Sequence, residues 1–251
     1  MTTDSPVVRG PDDGAPPDDF TAFLSLLNEL KATGCSLLVV GDAPRELFTR
    51  ASSHLLGDAE TLRHRVVATT DATAESIAER LPDPDTTPRP LTETTRILNH
   101  AGAPRSVTAL LDPETSADLA GVQETCIADP ELQGLQSGLV DAIDAVAGEA
   151  AELQPADLRV GVDSLGPLVE HHGQEVVRRC LEMVGAYVRR HDGMAHYVLT
   201  EEYDSQRVRA FRSEVEAIIE LRAVDPVEHD HDAQQRWHVP RRDLVTEWTP
   251  L

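Results

Sequence analysis

The stretch from Gly41 to Thr49 follows an apolar run, which is where a phosphate-binding loop would begin. Such a loop needs the pattern GxxxxGK followed by Ser or Thr, because glycines let backbone amides curl around phosphates, lysine neutralises them and the hydroxyl holds magnesium. Only Gly41 fits, since Glu46, Leu47 and Phe48 stand where the second glycine, the lysine and the hydroxyl should be. The sequence therefore argues against conventional ATP hydrolysis.

Two residues of the same stretch could still contact a nucleotide. Arg45 partly substitutes for the missing lysine, and Thr49 offers a hydroxyl one position late. The simpler interpretation is a helix start, with Asp42 as the cap and Pro44 in the first turn. We favour the helix start and keep the nucleotide contacts as the alternative.

An acid and a hydroxyl follow a second apolar run in the middle of the chain. Residues Leu158–Val162 lead directly into Asp163 and Ser164. A short apolar run of this kind is typical of a strand buried in a parallel sheet. Such a strand delivers the carboxylate of Asp163 to the edge of the sheet.

Metal binding and serine hydrolysis are the rival chemistries. The run His229–Asp232 reads HDHD, and His171 and His172 are adjacent, but neither group has the spacing of a recognised metal site. A solvated loop is the favoured interpretation, so we expect no metal. Ser164 lies two residues after Val162, where a nucleophile elbow needs glycine.

The elements around Asp163 alternate between strand and helix. The predicted order is a strand at Leu158–Val162, a helix through Val176–Val188, a strand at Met194–Leu199, a helix at Gln206–Arg212 and a strand at Val215–Leu221. Each parallel crossover needs a helix to return the chain to the same end of the sheet. The alternation predicts a parallel sheet with helices packed on its faces.

The remaining predicted elements extend this pattern in both directions. The strands are Cys35–Val40, Arg65–Ala68, Ser106–Leu111 and Arg236–Val239. The helices are Phe20–Leu30, ended by Gly34, then Ala117–Ile127 and Leu135–Ala151, and Arg96–His100 is predicted as a short helical turn.

The block Leu158–Arg222 resembles the second half of a RecA-like ATPase core, in the archaeal branch related to KaiC and RadA. The resemblance rests on the apolar strand that ends in DSL, the long helix, the strand led by Gly193 and the terminal IEL. It covers this block well and the last two thirds of the chain loosely. It implies a three-layer α/β/α core with a mostly parallel central sheet.

The resemblance also implies a set of vestigial nucleotide-binding positions. Asp163 corresponds to the Walker B acid, which could hold a magnesium-bound water, and Ser164 lies beside it. Gly41, Arg45 and Thr49 complete the set. ATP and magnesium are cofactors only under this alternative, and otherwise we expect none.

We predict one folded domain. A chain of 251 residues is long enough for one α/β domain. Residues 1–18 are rich in Pro, Gly and Asp and predict a disordered acidic tail. Residues 19–240 form the RecA/KaiC-like domain, and residues 241–251 are expected to be a loosely ordered tail.

The composition narrows the choice of partner and compartment. Forty-four acidic residues against 22 basic ones give a formal charge of −22, and Lys31 is the sole lysine. This composition resembles proteins of halophilic archaea, since high salt screens the self-repulsion. Without a basic stripe we expect no nucleic-acid binding, and without a long apolar run or an apolar leader we expect a cytoplasmic protein that does not enter membranes.

Two hypotheses follow. In the first, the chain is a non-catalytic RecA/KaiC-like regulatory or scaffolding protein, linked to signalling or transcription, that pairs with another protein or with itself. In the second, it is a divergent ATP-binding protein or ATPase that uses Asp163 with a degenerate loop. If Asp163 is a relic, we expect its replacement by alanine to change stability only modestly.

Overall fold

A computed structural model describes residues 18–70, 77–100, 119–127, 131–150 and 152–251. Residues 1–17 of the predicted tail and the predicted strand Ser106–Leu111 lie outside these described residues. The described residues form an α/β structure with one mixed sheet.

The sheet has ten strands, in the order β10-β8-β7-β1-β6-β5-β2-β3-β4, with β9 also paired to β8. Their bounds are β1 Cys35–Val40, β2 His64–Thr69, β3 Thr95–His100, β4 Gln123–Ile127, β5 Leu158–Val162, β6 Met194–Leu199, β7 Ala217–Ala223, β8 Ala233–Val239, β9 Leu244–Val245 and β10 Thr249–Pro250. The strands from β7 to β4 in this order pair in parallel, and β8 to β10 pair antiparallel.

Helices cover both faces of the sheet. Their bounds are α1 Asp18–Thr33, α2 Arg45–Leu56, α3 Leu91–Thr94, α4 Leu132–Glu149, α5 Gly166–His172, α6 Gln174–Arg190, α7 Gln206–Phe211 and α8 Pro226–His229. The helices α1 to α3 contribute core residues on one face of the sheet, and α4 to α7 contribute them on the other.

The central strand β1 shows how the two cores are divided. Leu38 and Val40 point into the core beneath α4 to α7, whereas Leu37 and Val39 point into the core beneath α1 and α2. Successive side chains of a strand lie on opposite faces, so a continuous apolar run is what a strand buried on both faces requires. The predicted three-layer α/β/α core with a mostly parallel sheet is confirmed.

Two sequence predictions are wrong at the far edge of the sheet. Arg96–His100, predicted as a helical turn, belongs to β3, and the end of the predicted helix Ala117–Ile127 is the strand β4. β4 is an edge strand in which only Ile127 is buried, so it has neither a continuous apolar run nor an alternating pattern. Both strands form through pairing with distant parts of the chain, which local sequence does not record.

The C-terminal segment is more ordered than the sequence predicted. Instead of a loose tail after Pro240, β9 and β10 both pair with β8. The indole of Trp248 contacts two guanidinium groups, with its ring centre 4.0 Å from that of Arg222 and 4.6 Å from that of Arg236. Cation–π contacts of this kind fasten the segment to the sheet.

Candidate functional site

At the carboxyl edge of the parallel strands, the helices change from one face of the sheet to the other between β1 and β6. α2 follows β1 on one face, whereas α5 and α6 follow β5, and α7 follows β6, on the other face. In open α/β sheets, ligands bind outside the carboxyl ends of strands at such changes of direction. Asp163 lies at this edge, directly after β5.

Asp163 is buried rather than open to a ligand. The residue is only 6% exposed, and its Oδ1 accepts a hydrogen bond from the backbone N–H of Thr70 at 2.7 Å. The hydroxyl of Thr70 lies 3.0 Å from the same Oδ1 and 2.7 Å from the carbonyl oxygen of Ser164. Asp163 and Ser164 therefore join the ends of β5 and β2.

Arg80 supplies an opposite charge to Asp163. Arg80 is 3% exposed, and burial lowers the pKa of its guanidinium while the charge of Asp163 opposes that shift. A buried charge needs a partner because leaving water is costly. The carboxylate thus has a structural task within the protein.

Gly41 is fixed by the sheet rather than poised for a phosphate. Its N–H donates to the carbonyl oxygen of Glu201 at 2.8 Å. Its φ is +147°, and a Cβ added here would lie 2.3 Å from the carbonyl oxygen of Leu221 in β7. Glycine is required because the two backbones approach so closely.

The other two predicted residues both lie on α2. Arg45 is the exposed first residue of α2, and Thr49 is buried one helical turn later. The α2 start is confirmed, but Pro44 rather than Asp42 is the cap residue, and it makes no side-chain capping hydrogen bond.

These residues do not fit ATP with magnesium. A phosphate loop needs free amides, but the N–H of Gly41 is bonded to Glu201. The magnesium site needs an accessible hydroxyl and an accessible acid, but Thr49 and Asp163 are both buried. The edge of the sheet is built to hold its own strands together.

Sequence reasoning missed Thr70 and Arg80. The parallel register pairs Ala68 with Val162, so the residues that follow the two strands must meet. The contact between Thr70 and Asp163 could be predicted if β2 were known to pair with β5. The sequence of one strand does not show which strand lies beside it. Arg80 had no local signal.

His196 in β6 is a second buried polar group near the site, on the α2 face. It is 3% exposed, and its ring packs so closely on β5 that a Cβ added to Gly161 would lie 2.8 Å from its Cε1 atom. Burial is the main cause that lowers the pKa of His196 from 6.5 to about 3, and the charges of Arg80 and Arg159 contribute to the same shift. The imidazole is therefore neutral in the folded protein.

Acidification is expected to destabilise the fold through His196. The unfolded chain takes up a proton on this histidine as the pH falls below 6.5, whereas the folded protein does so only near 3, so stability is lost across that window. Between neutral pH and about pH 5 the loss is about 2 kcal/mol. Urea unfolding at a series of pH values and constant salt measures it.

The variant His196→Gln isolates this effect. It should flatten the dependence of the unfolding free energy on pH by about one proton in that window, whereas His54→Gln, at an exposed histidine, should leave it unchanged. An unaltered slope in His196→Gln would contradict the assignment.

The other polar groups singled out in the sequence do not assemble into a metal site. Among the residues that the structure describes, no group of three His, Cys, Asp or Glu side chains could hold a metal ion. Asp232 pairs with Arg50 at 2.9 Å, and His231 contacts Gln234. The rings of His171 and His172 lie 4.6 Å apart, edge to face.

The three cysteines are free thiols. Cys35 and Cys180 are buried, and burial raises the pKa of each to about 12, so they are unreactive core residues. Cys126 is exposed on the edge strand β4.

The comparisons with known proteins identify a family but no activity. The profile of a family of unknown function, DUF7504, matches residues 34–221, which is most of the chain, so the chain belongs to this family. No curated protein matches the chain. Within the described ranges, the helices are too short or too polar to span a lipid bilayer.

Proposed function

We propose that this member of the DUF7504 family is a non-catalytic relative of RecA/KaiC-like ATPases that acts as a regulatory or scaffolding protein, by binding another protein or a second copy of itself. The observation that carries the proposal is the state of Asp163. The acid that would hold a magnesium-bound water in an active relative instead accepts hydrogen bonds from Thr70, and its charge acts on the buried Arg80.

The phosphate-loop position supports the same proposal. Glu46 and Leu47 stand where glycine and lysine are needed, and Asp42 and Glu46 put two exposed carboxylates around the start of α2. Carboxylates beside a phosphate would repel it. A protein that keeps the α/β scaffold but lacks this chemistry can still act by binding other proteins through its surface.

The charge of the chain favours protein partners over nucleic acids. A formal charge of −22 repels a phosphate backbone, whose binding depends on neutralisation by Lys and Arg. The same charge suits the salt-rich cytoplasm of a halophilic archaeon, which we propose as the setting. A link to signalling or transcription rests on the resemblance to KaiC-like proteins.

The alternative is a divergent ATP-binding protein, favoured by Asp163 at the carboxyl edge of the sheet. Thermal unfolding with and without ATP and magnesium, at molar potassium chloride, separates the two. A ligand that binds the folded state stabilises it by RT ln(1 + L/Kd), where L is the free ligand concentration, or about 2.7 kcal/mol at a hundredfold excess over Kd. We expect no shift of the melting temperature.

Two further measurements complete the test. The mass in solution should exceed the 27.4 kDa of one chain, or a partner should co-purify and be identified, if the protein acts by association. A melting shift with ATP that is lost in Asp163→Asn and kept in Asp204→Asn would instead establish the alternative.

A further inference from the structure

A cleft opens at the opposite edge of the sheet from Asp163, where β5 and β6 begin. It has a volume of about 220 Å³ and lies between α1 and the end of α2. About half of its wall is apolar, including Leu27, Leu30, Leu55 and Trp237. Ligand pockets are typically concave and apolar with a few placed polar groups.

Arg159, at the start of β5, is the buried polar group of this cleft. It is 5% exposed, and within the described residues both of its hydrogen bonds come from Nη1. One reaches the carbonyl oxygen of Leu55 at 3.3 Å, and the other reaches the sulfur of Met194 at 2.7 Å, which is a weak acceptor. Its buried Nε makes no hydrogen bond within the described residues.

The carboxylate whose charge acts on this guanidinium, Asp157, is already engaged. Asp157 forms an ion pair with Arg63 at 2.8 Å. The pKa of Arg159 is lowered to about 10, chiefly by burial and in part by the charge of Arg63. A buried cation without a paired anion is costly to the fold, so a reason for its presence is required.

Arg65 shows that a buried arginine in this region can be fully satisfied. It lies on the neighbouring strand β2 and donates to the carbonyl oxygens of Leu56, Gly57, Asp58 and Arg63, at 3.1 to 3.2 Å. The end of α2 therefore supplies acceptors to Arg65 that Arg159 does not reach. The incomplete hydrogen bonding of Arg159 is specific to the cleft.

The charged side chains that line the cleft are mostly positive, although the chain as a whole is strongly negative. Lys31, Arg63 and Arg159 line it, against the single acid Asp58, in a chain whose formal charge is −22. Asp157 offsets the charge of Arg63, so the positive excess comes from Lys31 and Arg159, and an excess of one sign attracts ligands of the opposite sign.

We propose that this cleft binds a small organic anion, a monocarboxylate with an apolar body, whose carboxylate pairs with the guanidinium of Arg159. The planar guanidinium matches a carboxylate with two parallel N–H donors. The apolar body lies against Leu27, Leu55 and Trp237. The volume is below the roughly 300–1,000 Å³ of drug-sized pockets, which favours a short ligand over a nucleotide.

The test is a titration of octanoate at constant salt, followed by the fluorescence of Trp237 in a Trp248→Phe protein, where Trp237 is the only remaining indole. We expect a saturable change. Uncharged 1-octanol, which has the same chain length, should bind at least about tenfold more weakly, because a hydrogen-bonded charge pair contributes a factor of that order.

Two variants test separately how the charge and the shape of the cleft contribute to octanoate binding. Arg159→Met should weaken octanoate binding about tenfold to a hundredfold, whereas Arg209→Met, at an exposed arginine, should not change it. Leu27→Phe narrows the cleft without removing a charge or adding an indole, and it should also abolish the saturable change. Unchanged binding in both cleft variants, equal binding of octanol, or no saturable change in the parent protein would overturn the proposal.

Discussion

Asp163→Ala is expected to lower the free energy of unfolding by about 3–5 kcal/mol, because removing one partner of a buried charge pair leaves the other uncompensated. Here Arg80 loses its opposite charge, and the N–H of Thr70 loses its acceptor at 2.7 Å. The loss exceeds the modest change that the sequence alone suggested for a relic acid. Urea unfolding at constant salt measures it.

Two companion variants test the cause. Asp163→Asn keeps an acceptor for Thr70 but removes the charge, so its loss should be smaller than that of Asp163→Ala. Asp204→Ala, at a residue whose ion pair with Arg209 is exposed, should cost less than about 1 kcal/mol. If Asp163→Ala matched Asp204→Ala, the carboxylate would not be holding β5 to β2.

Arg65→Met is expected to lower the free energy of unfolding by about 3 kcal/mol, since four carbonyl oxygens from the end of α2 to the start of β2, one in a buried and three in part-buried hydrogen bonds, lose their donor together. Arg65 is 1% exposed and makes four hydrogen bonds to backbone oxygens. Thermal and urea unfolding of the unliganded protein both report the loss.

Arg159→Met is the matched control for Arg65→Met. The substitution is the same, the site is on the adjacent strand, and the residue is similarly buried, but Arg159 makes only one bond to a carbonyl oxygen. Replacing an incompletely paired buried charge by an apolar side chain is often neutral or stabilising. We therefore expect a change within about 1 kcal/mol or a gain, and equal losses in the two variants would show that hydrogen bonding does not distinguish these arginines.

The buried strands of this fold can be predicted from sequence, but its edges cannot. Cys35–Val40, Leu158–Val162 and Met194–Leu199 were predicted with the bounds that the structure gives, because a strand covered on both faces must be a short apolar run. Such a run can be recognised in the sequence without knowledge of its neighbours. β3 and β4 carry polar residues at the edge and depend on pairing for their form.

The position of Asp163 at the edge of the sheet could be predicted from the sequence, but its hydrogen bonding and burial could not. The strand before Asp163 fixes the acid at the carboxyl edge, and the missing lysine is visible in the sequence. Whether the carboxylate is open or engaged depends on Thr70 and Arg80, which lie far from it in the chain and meet it only through the sheet. Arg159 was not singled out, because one arginine in an apolar run gives no indication of its hydrogen-bond partners.

The pairing of β1 has a consequence for the order of folding. β1 is the first strand of the described chain, yet its two neighbours are β6 and β7, with Cys35 opposite Met194 and Leu37 opposite Ala217. Contacts between such distant segments slow folding, because long loops must close before the contacts form. During synthesis, the most apolar strand of the sheet therefore waits unpaired until nearly the whole chain has emerged from the ribosome, and this is the interval in which aggregation competes most strongly with folding.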